Sequence, residues 1–439
     1  MNSNQFKNVL KFVVPTVFSQ CAIFLFTIID GIFVGRGVGT DALGAVNMAL
    51  PFVMIITAFY MMTTIGGVTI TAIRIGRKDF YGANQVFMHS LCLTILAAVI
   101  FTIVGTIFTS PLAIALGATG VYHNMVVKYI FWYSLFTVPS ALSMLLQGFG
   151  RNDNAPVLVM TATIASTVCN IVLDWLFVFP LQGGIAGAAI ATGISQTLSF
   201  VIIGGHFIFK RGELKISRFK MDWTLLKKVM TRGLPEMLSQ LTTPIMMVCM
   251  NAVVLKYIGN DGINAYSVIS YVASFTFAVI LGVAEGMQPL FGQSYGEQNA
   301  QNMKYYFQVG RILSFSGSGL IYLVTFFIGA SICHLFGADA AATKLAVATM
   351  PKYGWLFLFA ALNTIIAAYL YSTKRTKESV LLNILRGFVF IPACVWGISM
   401  VSNGALVWFT VGIAEILSLL AGTIIVKRSE GNGITFDAD

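Results

Sequence analysis

Charge is what this sequence has least of. Asp, Glu, Lys and Arg make up 10% of its 439 residues, against about 25% in an ordinary soluble domain. A large soluble core cannot account for that deficit, because a globule of this mass needs far more polar surface. Histidine is as sparse: His89, His123, His206 and His334 stand far apart in the chain, and no HExxH pattern occurs. The six cysteines, at 21, 92, 169, 249, 333 and 394, each sit in an apolar run without a CxxC. Neither a zinc site nor a disulfide framework is indicated, and no cofactor is expected. Without a convergent nucleophile and base, or a long polar stretch to form an ATP-hydrolysing or catalytic domain, the expectation is that the protein is not an enzyme.

What remains is apolar: 57% of the residues are hydrophobic. About 20 such residues span the hydrocarbon layer of a membrane. Apolar runs between charged or Gly/Pro/Asn-rich breaks predict helices near 12–35, 43–73, 85–109, 125–149, 156–180 and 184–209, then near 232–257, 262–290, 305–335, 345–371, 379–401 and 404–427. The first run is too long for a signal peptide and lacks a small-residue cleavage site, so it is expected to stay as a span. The fold class expected is an all-α polytopic membrane protein with twelve transmembrane helices in two pseudo-symmetric six-helix lobes. The lobes would be residues 1–209 and 232–439, joined by a cytoplasmic linker over 210–231.

The net charge of +10 comes from basic residues in the short connections between apolar runs, with no interleaved aromatics on a soluble module. Nucleic acid is therefore not an expected partner; membrane lipids are. On the side that carries both termini fall 22 of the 27 Lys and Arg residues, Arg386 among them, which leaves Arg36, Lys128, Lys256, Lys344 and Lys352 opposite. The positive-inside rule then places both termini in the cytoplasm and the protein in the cell membrane. The linker "KRGELKISRFKMDWTLLKK" (210–228) reads as a solvated segment lying against anionic headgroups.

The two halves repeat. An offset of 220 residues aligns "PTVFSQ" at 15–20 with "PEMLSQ" at 235–240, and pairs Val34 with Val254, Asp41 with Asp261, Gly66 with Gly286 and Gly76 with Gly296. Repeats of this kind belong to transporters, with the substrate site expected between the lobes. A single-chain channel would show a repeated filter or charged ring, and none is visible. One chain supplying both lobes is expected to work as a monomer.

Few acids lie inside the apolar runs, and their positions carry the functional reading. Asp30 is 18 residues into the first span and Asp174 is 18 residues into the fifth, so both fall at one depth, roughly 27 Å along helices of like direction. Asn170 and Asp174 are a helical turn apart on one face, and Thr163 and Thr167 extend the stripe. Thr192, in the oppositely directed sixth span, reaches a comparable depth. One reading is that the acids are helix-end residues in contact with headgroup water. The other is an oxygen-rich site at Asp30, Asn170, Asp174 and Thr192 that exchanges H⁺ for Na⁺, since burial and a neighbouring cation shift a carboxylate in opposite directions.

The second half has no such set, because Met250 stands opposite Asp30. Glu236, beside Pro235, suits the first turn of a helix. Glu285 would face a cavity or its rim, and Glu415 falls near mid-membrane. Asn251, Tyr266 and Gln288 complete the candidate substrate-cavity residues. A part of the 35 Phe and 19 Met would line an adaptable apolar surface, and apolar walls with acids suit amphipathic cations.

Three stretches carry a resemblance: "IIDGIFVGRGVGTDALGAVNMALP" from around Asp30 to Pro51; "NIVLDWLFVF" with "GGIAGAAIATGISQ" (170–196); and "GVAEGMQPLFGQSYGEQN" (282–299). With the twelve-span repeat, the whole chain resembles the multidrug and toxic compound extrusion (MATE) transporters, particularly the DinF-like and MepA-like branches. The resemblance implies two lobes around a V-shaped cavity and cation-driven export of small organic, often cationic, compounds. It implies a cation site at Asp30, Asn170, Asp174 and Thr192, and a helix bend at Pro15. Members often have Gln where Glu285 stands, and the acids of the branch coupled through its C-terminal lobe do not map cleanly, which favours coupling in the first lobe. The expected function is thus a secondary antiporter working by alternating access, with H⁺ or Na⁺ as the coupling ion. A flippase for a lipid-linked saccharide is the alternative within the superfamily and would need a strongly basic cavity. A receptor or scaffold without transport is the alternative from another class, and it would not need a repeated, acid-lined interior.

Overall fold

A computed structural model describes residues 3–335, 340–430 and 436. The side chains of Cys333 and His334 lie outside the described residues. The helices are α1 (Ser3–Gly37), α2 (Thr40–Gly76), α3 (Phe80–Ile107), α4 (Thr109–Ala115), α5 (Val121–Leu135), α6 (Thr137–Asn152), α7 (Pro156–Val178) and α8 (Gly184–Ile208). After the linker come α9 (Trp223–Tyr257), α10 (Asn260–Gly296), α11 (Ala300–Leu335), α12 (Ala340–Gly354), α13 (Leu356–Ser372), α14 (Thr376–Ile384), α15 (Ile391–Val401) and α16 (Thr410–Glu430). A π-helical turn, Leu385–Phe390, joins α14 to α15, and a 3₁₀ turn, Val407–Phe409, leads into α16. No strand occurs among the described residues. The protein is an all-α polytopic membrane protein.

Ten helices among the described residues are long and apolar enough to cross a membrane unaided, and two bent pairs bring the number to twelve. The predicted fourth span is α5 and α6, bent by 54°. Pro139, in the first turn of α6, has no amide hydrogen and its ring crowds the carbonyl four residues back, so the helix breaks at Phe136. The predicted tenth span is α12 and α13, bent by 40°. There the Pro351 carbonyl, which a continuous helix would offer to the Trp355 N–H, accepts from the Tyr322 hydroxyl at 3.1 Å.

The chain forms two compact units, Phe18–Gly233 and Met1–Val17 with Leu234–Asp439. This division differs from the lobes read off the sequence, because it passes through α1 and α9 rather than between helices. The reason is close packing at paired glycines. A Cβ on Gly282 would lie 2.6 Å from Val17 Cα, and one on Gly286 would lie 2.7 Å from Val13 Cα. Bare backbone at these positions of α10 lets the start of α1 lie against it. In the other unit Gly66 of α2 meets the Val229 carbonyl of α9, and Gly233 meets the Met62 carbonyl, each with no room for a Cβ. Gly66 and Gly286 correspond under the 220-residue repeat, so one device recurs in both units.

The linker is largely exposed, as the sequence suggests, but it is tied to its unit at several points. Leu214 is fully buried in a cluster with Phe87, Phe149 and Phe207. Asp153, at the turn between α6 and α7, accepts from His206 Nε2 at 2.8 Å, from Glu213 N–H at 2.8 Å and from Leu214 N–H at 3.2 Å. Asn84 accepts from Lys215 N–H at 2.7 Å. His89 Nε2 accepts from Asp222 N–H at 2.8 Å while its Nδ1 donates to the Gln85 carbonyl. That pairing requires the neutral, Nδ1-protonated ring. Residues from Trp223 onward belong to α9, so the last part of the expected linker is helix.

Candidate cation site

Asp30 lies on α1, and Asn170 and Asp174 lie on α7, all within the Phe18–Gly233 unit. Asp174 is fully buried and Asn170 nearly so. Pro156 opens α7, where its missing N–H costs no hydrogen bond. From there the helix presents Val159, Ala162, Thr163, Ser166, Asn170, Asp174 and Val178 inward at three- and four-residue steps. The helical turn between Asn170 and Asp174 that the sequence implies is therefore a single inward-facing edge.

The Asp30 and Asp174 carboxyls stand next to each other, and the Asn170 amide adjoins Asp174. None of these contacts reaches hydrogen-bond geometry. Asp30 Oδ1, both oxygens of Asp174, and Oδ1 and Nδ2 of Asn170 are buried without a hydrogen-bond partner. Buried polar groups are nearly always paired, and an unpaired one calls for strain, a functional role, or a water or ion as its explanation. Two neighbouring carboxylates also repel each other in an apolar interior. A shared proton or a small hard cation among these oxygens resolves both problems, because such ions prefer oxygen ligands.

Sequence reading missed Tyr129. This residue of α5 is close enough to both Asp30 and Asp174 to feel their charges, and its ring stacks on Tyr133 at 6.1 Å. A helix-period argument on α1 and α7 alone has no means of selecting it. Thr192 is defined through its backbone carbonyl, which accepts from Ser195 Oγ at 2.8 Å. Thr163 donates to its own helix at Val159 O. Ser166 bridges α7 to α8 by donating to the Ser195 carbonyl at 2.6 Å. Among the described residues, no three His, Cys, Asp or Glu side chains gather as a metal-ligand group.

In the other unit the candidate residues separate. Glu236 is well inside α9, not in its first turn, because α9 begins at Trp223. It is buried, accepts from Gln240 Nε2 at 2.7 Å and feels the charge of Glu285. Glu285 and Gln288 are buried on α10. Asn251 is exposed on α9. Tyr266 belongs to an aromatic core, with Tyr353 at 5.8 Å and Trp408 at 6.3 Å between ring centroids. Glu415 is bound to Arg386. Arg386 lies within the predicted eleventh span, as the sequence placed it, and is buried there.

Comparison with known proteins places these features in context. The MatE family model matches residues 15–176 and 235–396, two segments that begin and end 220 residues apart. The multidrug export protein MepA of Staphylococcus saprophyticus is 24% identical over 429 residues, covering 97% of this chain and 94% of that protein. MepA of Staphylococcus aureus (strain bovine RF122 / ET3-1) is 25% identical over 427 residues, covering 96% of this chain and 93% of that one. Among solved structures, a multidrug resistance MATE transporter in an outward-facing conformation superposes with a TM-score of 0.92 at 23% identity, covering 97% of this chain and 96% of that one. A MOP superfamily transporter from Pyrococcus furiosus gives 0.89 at 23% identity, covering 96% of each chain. With both halves matched in register and nearly the whole length aligned, the chain belongs to the MatE family of multidrug efflux transporters.

Proposed function

We propose that this protein is a secondary antiporter that exports organic, cationic or amphipathic compounds in exchange for H⁺ or Na⁺. Both termini lie in the cytoplasm and the chain sits in the cell membrane. The coupling ion binds at Asp30 and Asp174, oriented by Asn170 and Thr192, and Tyr129 borders the site. The observation that carries this reading is the group of unpartnered buried atoms on Asp30, Asn170 and Asp174. A purely structural cluster of amide and carboxyls would satisfy itself with hydrogen bonds. By alternating access, the ion arrives from outside, and its binding favours the return toward the cytoplasmic side once substrate has been released. The apolar walls and acids suit small organic cations, and one chain supplies both lobes, so the monomer is the working unit.

The experiment is counter-transport in proteoliposomes with H⁺ and Na⁺ gradients imposed separately, comparing wild type with Asp30→Asn and Asp174→Asn at equal protein levels. Loss of gradient-driven export in both variants is the expected result. Export that stays intact and cation-dependent in both removes this site from the mechanism. The saccharide-lipid flippase reading calls for unpaired basic groups to hold phosphate, and the buried Arg386 is instead paired with a carboxylate.

A further inference from the structure

The unit containing Leu234–Asp439 carries its own buried charge cluster. Arg386 Nε lies 3.0 Å from both oxygens of Glu415, and its Nη2 lies 3.0 Å from Glu415 Oε1. Asn363 Nδ2 donates to Glu415 Oε2 at 2.7 Å and to the Glu415 carbonyl at 2.8 Å. Glu415 and Arg386 are both buried, and Asn363 is fully so. Tyr353 of α12 is the further titratable group that feels the Glu415 charge. The cluster thus draws on the predicted tenth, eleventh and twelfth spans.

Its placement within the repeat is informative. Ser166 and Ser195, which tie α7 to α8, are 29 residues apart, as are Arg386 and Glu415. The two pairs correspond under the 220-residue offset that the family match itself follows. One unit therefore joins its fifth and sixth spans by a hydroxyl, and the other joins its eleventh and twelfth by an ion pair at the same register. A turn further on, the same offset sets Phe390 and Cys394 against Asn170 and Asp174. The second unit has neither the amide nor the acid of that edge; its acid, Glu415, stands on the neighbouring helix with a guanidinium beside it.

The backbone that carries this guanidinium is itself closely held. Arg386 lies in the π-helical turn Leu385–Phe390, a distortion that re-aims side chains and recurs at functional sites. Gly387 packs so tightly on α9 that a Cβ would lie 2.6 Å from Thr242 Oγ1. Asn383 Nδ2 anchors the preceding turn to the Pro235 carbonyl at 2.7 Å. These contacts fix the backbone from which the Arg386 side chain reaches Glu415.

We infer that Arg386 is a tethered cation: it occupies, beside Glu415, the electrostatic place that a coupling ion takes in the first unit, and so leaves Glu415 without an exchangeable ion. The comparison with a coupling site rests on the function proposed above, whereas the pairing of Arg386 with Glu415 does not. The corresponding edges of the two units then differ, one open to an exchangeable ion and the other closed at Glu415 by a fixed guanidinium.

Infrared difference spectroscopy of the full-length protein in lipid nanodiscs, at neutral pH in buffer free of Na⁺ and K⁺, reads the Glu415 carboxyl directly. Wild type minus Glu415→Gln is expected to show no protonated-carboxyl band. Arg386→Gln is expected to gain one such band, absent from the Arg386→Gln/Glu415→Gln double variant, while Arg386→Lys gains none. A protonated Glu415 in wild type, or a folded Arg386→Gln protein without the new band, overturns the inference. If Arg386→Gln does not fold, the neutral double variant decides: its recovery supports the pairing, and equal failure refutes it. Because the band belongs to Glu415, the result stands whether or not Asp30 and Asp174 carry the coupling ion.

Discussion

Replacing Asp153 by Ala should release the linker from its unit while leaving the spans intact. The carboxylate accepts from Glu213 N–H, Leu214 N–H and His206 Nε2. Hydrogen bonds to a charged group contribute about 1.5–3 kcal/mol each, and the two linker amides together hold the segment by roughly 3–5 kcal/mol once shared effects are discounted. At about 1.4 kcal/mol per factor of ten, local opening should increase by on the order of 10²–10⁴. Hydrogen–deuterium exchange of the purified protein reports this directly. Protection at Glu213 and Leu214 should fall by that factor, with the amides of α7 and α8 unchanged. Asp153→Asn keeps an acceptor oxygen for both amides and should lose far less. Gly212→Ala should reproduce the effect by another route, since a Cβ there has no room against the Asp153 carboxylate. Unchanged exchange at Glu213 and Leu214 in Asp153→Ala would refute the claim that this carboxylate holds the linker. Uniform loss across every helix would show a global effect instead.

Other outcomes follow from the same geometry. Tyr129→Phe should fold normally and shift the cation concentration for half-maximal export by about fivefold, the equivalent of one hydrogen bond near 1 kcal/mol; an unshifted curve would separate Tyr129 from the site. Gly286→Val puts a branched side chain against Val13 backbone and should lower stability by about 1–3 kcal/mol, seen as a reduced melting temperature in detergent, and Gly66→Val should behave alike. Asp222 caps α9 by accepting from Thr224 and Leu225 N–H, at 2.8 and 3.3 Å. These bonds, the Thr224 amide first, lower its carboxyl below the ordinary 3.8. A depressed carboxyl stabilises the fold above its ordinary value and loses that contribution as pH falls through the folded value. Fraying of the first turn of α9, followed by exchange at Thr224 and Leu225, should therefore begin only below about pH 4 in wild type. In Asp222→Ala it should be present at every pH.

Much of the fold was legible because the membrane limits the choices. A chain this poor in charge has to be helical where it crosses lipid, since backbone groups there need internal partners. Span positions follow from run lengths, and the repeat follows from matched Pro and Gly. The breaks at Phe136 and Trp355 were not predicted: apolarity continues through both bends, and the prolines beside them, Pro139 and Pro351, do not by themselves distinguish a broken span from a merely kinked one. Of the candidate site, Asp30, Asn170 and Asp174 could be chosen from depth and helix face. Tyr129 could not, because its place beside them depends on how α5 packs after a broken span. The partner of Arg386 was not legible either. A charge inside an apolar run names no counter-ion until Glu415, 29 residues later, is seen beside it.

The sequence by itself determined the class of molecule, the two-fold repeat, the family and the two acids on which coupling is proposed to rest. The class and the two acids depend on composition and on periodicity along single helices, the repeat on residues matched 220 apart, and the family on a resemblance carried by three stretches. Only the tertiary structure decided that α1 and α9 pass from one unit to the other near Pro15 and Pro235, that Asp153 holds the linker, and that Glu415 faces a guanidinium rather than a free cavity. Each of those depends on residues far apart in sequence meeting across packed helices, and no pattern along one chain segment records such a meeting.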